Sequence, residues 1–172
     1  MLGLVSCAMA SVHGATRVLC FDPSEERASE SLSFGADACE SSSLGQLVMD
    51  HTSNRGVDVI FEMSGARPAM QECASLLRIG GRAVFVGAVY PVEAISLEPE
   101  TIVRKHLTIQ GVHNYIPSDL QTAIRFLSEQ HESFPWTRLF SEPIPLDEVN
   151  HAIELAIGRS FHRVIVQPES RN

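Results

Sequence analysis

Three stretches of this 172-residue chain are almost continuously apolar over the length of a strand: VDVIFEMSG (57–65), RAVFVGAVY (82–90) and LTIQGV (107–112). A strand with one wet face alternates apolar and polar residues, so such runs indicate strands buried on both faces. Helical patterns separate them: ARPAMQECASLLRIGG (66–81), ending on a double glycine, and a short turn in EPETIVRKH (98–106). Upstream, TRVLCF (16–21) reads as another buried strand. In the helix PSEERASESLSFGA (23–36) that follows, Pro23 and Ser24 suit the start, Glu25 and Glu26 favour its positive end, and Gly35 stops it. DACESSS (37–43) reads as a short connection and LGQLVMDHTSNRG (44–56) as a further helix. Buried strands alternating with amphipathic helices predict a parallel sheet covered on both faces, the doubly wound α/β class.

From Ile116 the alternation lapses. PSDLQTAIRFLSEQHE (117–132) and LDEVNHAIELAIG (146–158) read as helices, FPWTRLFSEPIP (134–145) as irregular or a short extended piece, and FHRVIVQP (161–168) as a last strand. Two segments are expected: an α/β body over 1–115 and a return segment over 116–172 that docks elsewhere.

The net charge of −8, with no basic run, makes the chain a poor candidate for nucleic-acid binding, which needs clustered Lys and Arg. Cys7, Cys20, Cys39 and Cys73 show no C-x-x-C spacing; Cys7 and Cys20 sit in apolar segments as core thiols, pointing to a reducing cytoplasm. No H-E-x-x-H occurs, and a zinc site built from the four cysteines is not expected. The apolar opening LGLVSCAMA could pass for a secretion signal with a site at Ala8-Met9-Ala10, but no Lys or Arg precedes it. It is also too short to span a membrane, which takes about 20 apolar residues.

The same opening has a second reading. Leu4, Val5, Ala8, Met9 and Val12 form one helix face, Gly14 suits the helix stop, and the strand that follows ends at Asp22. In a dinucleotide-binding βαβ unit the last glycine of G-x-G-x-x-G opens the helix, and an acid about 20 residues later holds the ribose hydroxyls. Met1-Leu2-Gly3 would be the end of that fingerprint, with two glycines and a first strand upstream of Met1. Any helix–strand pair ending in Asp fits these residues equally well.

The order MLGL, VLCFDPSEER, FGAD, GVDVIFEMSG, LLRIGGRAVFVGAVY, LTIQGVHNY, PLDEVNHAIELA, RVIVQP resembles the medium-chain, zinc-dependent alcohol dehydrogenases over nearly the whole chain. GVHNY is most similar to the subgroup proposed to accompany phosphonate catabolism. In the family an N-terminal catalytic domain precedes a Rossmann-like cofactor domain, and the chain then returns to the first. The resemblance implies an incomplete NAD-binding domain over 1–115, a doubly wound sheet lacking its first strand, and a return segment over 116–172. The start would be artificial or misplaced. Zinc ligands belong to the absent catalytic domain, so none of the cysteines carries over. As a fragment the chain is expected to be inactive; a non-catalytic Rossmann-like binding or interaction module is the alternative.

Residue by residue, the resemblance implies a cofactor site. Leu2 and Gly3 match the end of the glycine loop, where helix amides favour the pyrophosphate and Gly3 allows close helix–strand packing; a plain helix start is the other reading. Asp22 matches the acid that binds the ribose hydroxyls and repels a 2′-phosphate, implying NAD over NADP. Arg27 lies along the ribose or is a solvated helix charge. Ser64, Gly65, Val86, Gly87 and Ala88 match the bed beyond the strand ends, with Gly87 clearing space for the nicotinamide. Val112, His113 and Asn114 match a hinge whose backbone meets the carboxamide; the family's proton relay lies elsewhere than His113. Arg163 reaches the pyrophosphate or is a surface charge. Glu62, at a buried strand end, has no partner nameable from sequence. The resemblance further implies a small alcohol or aldehyde as substrate, no membrane or nucleic-acid partner, and a homo-oligomer, with AVYPVEAISLEPE (88–100) near the subunit interface.

Overall fold

In a computed structural model, which describes residues 1–168, the opening helix is α1 (Leu2–Val12), burying Leu4, Cys7 and Ala8. β1 (Leu19–Phe21) follows and ends beside Asp22. The expected 23–36 helix is divided. Its first part is α2 (Glu25–Glu30), capped where the Ser24 side chain accepts from Arg27 N; a 3₁₀ turn over Ser31–Phe34 then stops at Gly35, whose φ of 87° suits glycine.

DACESSS is not merely a connection. Ala38–Glu40 forms β2, parallel to β1, with Cys20 opposite Cys39. Asp37 sets this register: its carboxylate accepts from Val18 N at 2.7 Å, and its own N–H donates to Val18 O at 2.8 Å. A short strand beside one neighbour needs no apolar run, so the polar sequence hid it.

α3 (Leu44–Thr52), capped by Ser43, leads to β3 (Val57–Glu62). α4 (Arg67–Leu76) ends four residues before the double glycine Gly80-Gly81, and β4 (Leu77–Phe85) follows directly. The expected helix through Gly81 therefore gives way to strand at Leu77. Lys105 Nζ donates to the carbonyls of Ser75 and Leu77 at 2.8 and 2.9 Å, satisfying the end of the helix, while Leu77 pairs with Val57 in the ladder. α5 (Pro99–Arg104) and β5 (Thr108–Gly111) complete this part. Next come α6 (Pro117–Gln130), a 3₁₀ turn at Trp136–Leu139, β6 (Ile144–Pro145), α7 (Val149–Ile157) and β7 (Val166–Gln167), the last parallel to β6. The expected final strand is thus confined to two residues and an isolated bridge between Phe140 and Arg163.

The fold is α/β with parallel sheets, Rossmann-like in its winding, and its main sheet lies in two pieces: β1–β2, and β3–β4–β5 with β4 central. Among the described residues, no strand pairs with the second edge of β1 or of β3. Each piece has its own core. Leu4, Cys7, Ala8, Val18, Phe34 and Ala36 pack with Phe126 and Leu139 of the return segment. Trp136 meets Phe34 edge-on at 5.5 Å between ring centroids, and its indole N–H donates to Gln130 O. Cys73, Leu77 and Ala83 form the second core, with Ile60, Phe85 and Ile109 around them. α3 bridges the pieces, touching β1 and β2 on one side and α4 on the other. Helices do not cover both faces throughout: Ile60 turns into the second core, whereas Val59 and Phe61 are 44% and 52% exposed.

Three outcomes follow for stability. Phe34→Ala, at a fully buried ring, lowers the unfolding free energy by about 3–5 kcal/mol in a urea titration, whereas Val59→Thr changes it by less than about 0.5 kcal/mol. Hydrogen bonds from Arg55, at 2.8 Å, and from Arg78 hold the Asp58 carboxyl down to about 2, below its unfolded value of about 3.9. Its contribution is therefore present above pH ~4 and lost as pH falls toward ~2. Because Asp58 is half exposed, that contribution is under about 1 kcal/mol, and Asp58→Asn removes it from an acid titration of stability.

Candidate functional site

The carboxyl ends of β1, β3, β4 and β5 carry most of the residues singled out by sequence. At the end of β1, Asp22 Oδ1 accepts from Ser24 N at 2.9 Å; its other oxygen accepts no hydrogen bond among the described residues. Ser24 in turn caps α2, so the loop that fixes Asp22 also fixes Arg27 in the first turn of that helix.

α1 begins at Leu2 with no side chain capping its first amides among the described residues. Those N–H groups carry the positive end of the helix and suit an anion. Around them stand Arg27, Arg163, Glu30 and Asp22, near enough to act on the Met1 amino group. Burial and the two arginines lower its pKa, while Glu30 and Asp22 pull the other way. His162 ties this corner together: Nδ1 lies 3.2 Å from Met1 N, and Nε2 lies 2.7 Å from Glu30 Oε2. Neither His162 nor Glu30 was singled out in the sequence, because their pairing spans 132 positions. Arg163 is exposed and its guanidinium donates to the carbonyl of His162.

A Cβ at Gly3 would meet no atom within 4 Å among the described residues, so none of them packs closely on this glycine.

The second half of the site is knotted by Glu62, 4% exposed. Its carboxylate accepts from Ser64 N at 2.8 Å, from Gly65 N at 3.0 Å and from the Ser64 hydroxyl. Its carbonyl accepts from Val86 N and Gly87 N at 2.9 and 3.0 Å. One residue thus closes the β3 exit turn and binds it to the β4 exit. The sequence signal was present: an acid ending an apolar strand, with Ser-Gly two and three positions on, can fold back onto those amides. Gly65 (φ 71°) and Gly87 pack backbone to backbone; a Cβ on Gly87 would lie 2.6 Å from Met63 O. The bare backbone of Gly87 is therefore required first by the neighbouring turn.

Val86, Ala88, Val112 and His113 line an open cleft of about 420 Å³ between the β4 and β5 exits. Val112 N donates to Phe85 O, Asn114 takes a left-handed φ of 58°, and its amide nitrogen lies 3.1 Å from His113 Nε2. His113 is exposed and, among the described residues, has Asn114 rather than a carboxylate as its side-chain hydrogen-bond partner. The candidate residues thus form two groups: Leu2, Gly3, Asp22, Arg27 and Arg163 around the start of α1, and Ser64, Gly65, Val86, Gly87, Ala88, Val112, His113 and Asn114 beyond β3–β5. Among the described residues, no cluster of three or more His, Cys, Asp or Glu is placed to hold a metal ion, and no helix is long and apolar enough to cross a membrane.

A family model for zinc-binding dehydrogenases matches residues 2–129. The D-xylulose reductase of Saccharomyces cerevisiae is 29% identical over 136 residues, covering 75% of this chain and 38% of that protein. A solved alcohol dehydrogenase from Thermotoga maritima superposes with a TM-score of 0.88 at 28% identity, over 98% of this chain and 47% of that one. A Sinorhizobium meliloti protein solved with NADP bound shares the fold, with a TM-score of 0.75 at 24% identity, over 88% of this chain and 45% of that one. The chain spans less than half the length of each of these proteins.

Two glycine substitutions separate the two groups. Gly87→Ala forces the Met63–Gly65 backbone to move and lowers stability by about 1–3 kcal/mol. Gly3→Ala, in an open helical position, leaves stability unchanged or raises it by up to about 1 kcal/mol. Chemical denaturation of the two variants beside the parent chain measures both.

Proposed function

Because the chain belongs to the zinc-binding dehydrogenase family, we propose that it supplies the NAD-binding portion of an enzyme that moves hydride between a small alcohol or aldehyde and the cofactor. The observation that carries this reading is the convergence of Asp22, Arg27, Arg163 and the uncapped start of α1 at the carboxyl end of β1. A free carboxylate oxygen beside uncapped helix amides and two guanidinium groups matches the alternating charge of a dinucleotide: hydroxyls for the acid, phosphates for the amides and arginines.

Asp22 accepts the ribose hydroxyls and sets the preference for NAD, since a 2′-phosphate there would meet a like charge. Arg27 lies along the same ribose. The α1 amides at Leu2 and Gly3, with Arg163, hold the pyrophosphate. Ser64 and Gly65, fixed by Glu62, form the bed for the adenine-side ribose. Val86, Gly87, Ala88, Val112, His113 and Asn114 form the cleft for the nicotinamide. When bound, the dinucleotide supplies the hydride acceptor or donor. The described residues do not fit a zinc site, so zinc chemistry is assigned to protein outside this chain. In that division 1–115 is the cofactor portion and 116–172 the return segment, while 88–100, with Tyr90 80% exposed, is the face between copies of a homo-oligomer in the cytoplasm.

Titration of NADH fluorescence tests this. NADH binds more tightly than NADPH, and Asp22→Asn weakens NADH about 10-fold while narrowing the difference. Equal or tighter binding of NADPH, or an Asp22→Asn variant that binds like the parent, overturns the assignment of Asp22. With NAD and small alcohols the purified chain turns over no substrate; measurable alcohol oxidation contradicts the division of labour.

A further inference from the structure

The return segment reaches α2 through one pair of side chains. His162 Nε2 lies 2.7 Å from Glu30 Oε2, and the two side chains are 13% and 24% exposed, so water competes little for the bond. Among the described residues, no other hydrogen bond joins this segment to α2. The other ring nitrogen, Nδ1, lies 3.2 Å from Met1 N. One imidazole therefore touches the end of α2 and the start of α1 together.

Arg163 is the next residue along the chain. Its N–H donates to Leu139 O and its carbonyl accepts from Ser141 N, both at 2.9 Å, and Leu139 is buried in the first core. Its guanidinium donates back to His162 O at 3.0 Å. The direction of the Arg163 head group thus depends on where the His162 peptide sits, and the imidazole ties that peptide to α2. Arg27 lies one turn before Glu30, so the same bond links the two elements that carry guanidinium groups. Glu30 is otherwise out of place. A carboxylate beside a phosphate site repels the ligand, and a shielded one costs desolvation unless it is hydrogen-bonded. An arginine whose direction is fixed beforehand loses less rotamer freedom when it binds phosphate.

Building on the assignment of Arg163 and the α1 amides to the pyrophosphate, we propose that Glu30 and His162 are positioning residues, a latch that holds Arg163 at the start of α1 for that group. Neither touches the dinucleotide; both act through Arg163. The sign of the effect separates the latch from simple electrostatics. Removing the Glu30 charge near a phosphate site strengthens binding by Coulomb attraction alone, whereas removing the latch weakens it. Glu30→Gln keeps an oxygen that accepts from Nε2 and loses only the charge.

The test titrates the chain and its variants with NADH, read by fluorescence, and with adenosine, which carries no phosphate, read by ligand-observed NMR. Circular dichroism checks each fold. Arg163→Ala weakens NADH about 10-fold and leaves adenosine unchanged. Glu30→Ala and His162→Ala each weaken NADH by about 3- to 10-fold, again without effect on adenosine. In the Arg163→Ala background Glu30→Ala adds nothing further, because both act on one contact. Glu30→Gln binds NADH within about 2-fold of the parent chain, or more tightly. If Glu30→Ala binds NADH as well as the parent while Arg163→Ala does not, the site stands and the latch is wrong. Equal losses of NADH and adenosine in Glu30→Ala make the pair a structural tie and overturn the latch as well. If the parent chain binds no NADH, or Arg163→Ala binds it unchanged, the assignment of the site fails and the latch with it.

Discussion

The backbone ladder stops at β1 and resumes at β3, and most of what is unusual in this molecule follows from that interruption. A parallel sheet gains its stability from strands bonded on both sides and from one continuous core. Here the two ladders carry separate cores, and α3 joins them by packing against β1, β2 and α4. The return segment partly compensates on one side. Phe126, Trp136 and Leu139 close over α1 and Phe34, giving the smaller ladder a core that its three-residue strands could not build alone.

The candidate site inherits this division. Asp22 and the start of α1 belong to one piece; Glu62, Gly65, Gly87 and the β4–β5 cleft belong to the other. Each half is locally well determined, by the Ser24 cap on one side and by the five donor groups converging on Glu62 on the other. Their relative placement rests on packing through α3 rather than on shared strand pairing. A dinucleotide long enough to lie across both halves would therefore add a link that the sheet itself does not provide.

Much of this was legible in the sequence. The apolar runs at 57–65, 82–90 and 107–112 became β3, β4 and β5, and the helix start read at Ser24 became the cap of α2. What escaped was set by distant partners. β2 is polar and is held by Asp37 reaching Val18; the end of α4 is set by Lys105, almost thirty residues on; His162 finds Glu30 across most of the chain. Glu62 was noticed, but the amides that satisfy it lie in a turn whose shape periodicity does not encode.

Amide hydrogen exchange on the dilute chain, read residue by residue, addresses the interruption most directly. Successive amides of a strand point to opposite neighbours, so a strand bonded on one side alternates between protected and open positions. With the ladder broken between β1 and β3, protection alternates along Leu19–Phe21 and Val57–Glu62 while Ala83–Phe85 of β4 is protected at every position. Uniform protection along β3 at the level of β4 would mean that its second edge is paired, and the two-piece description of this fold would be wrong.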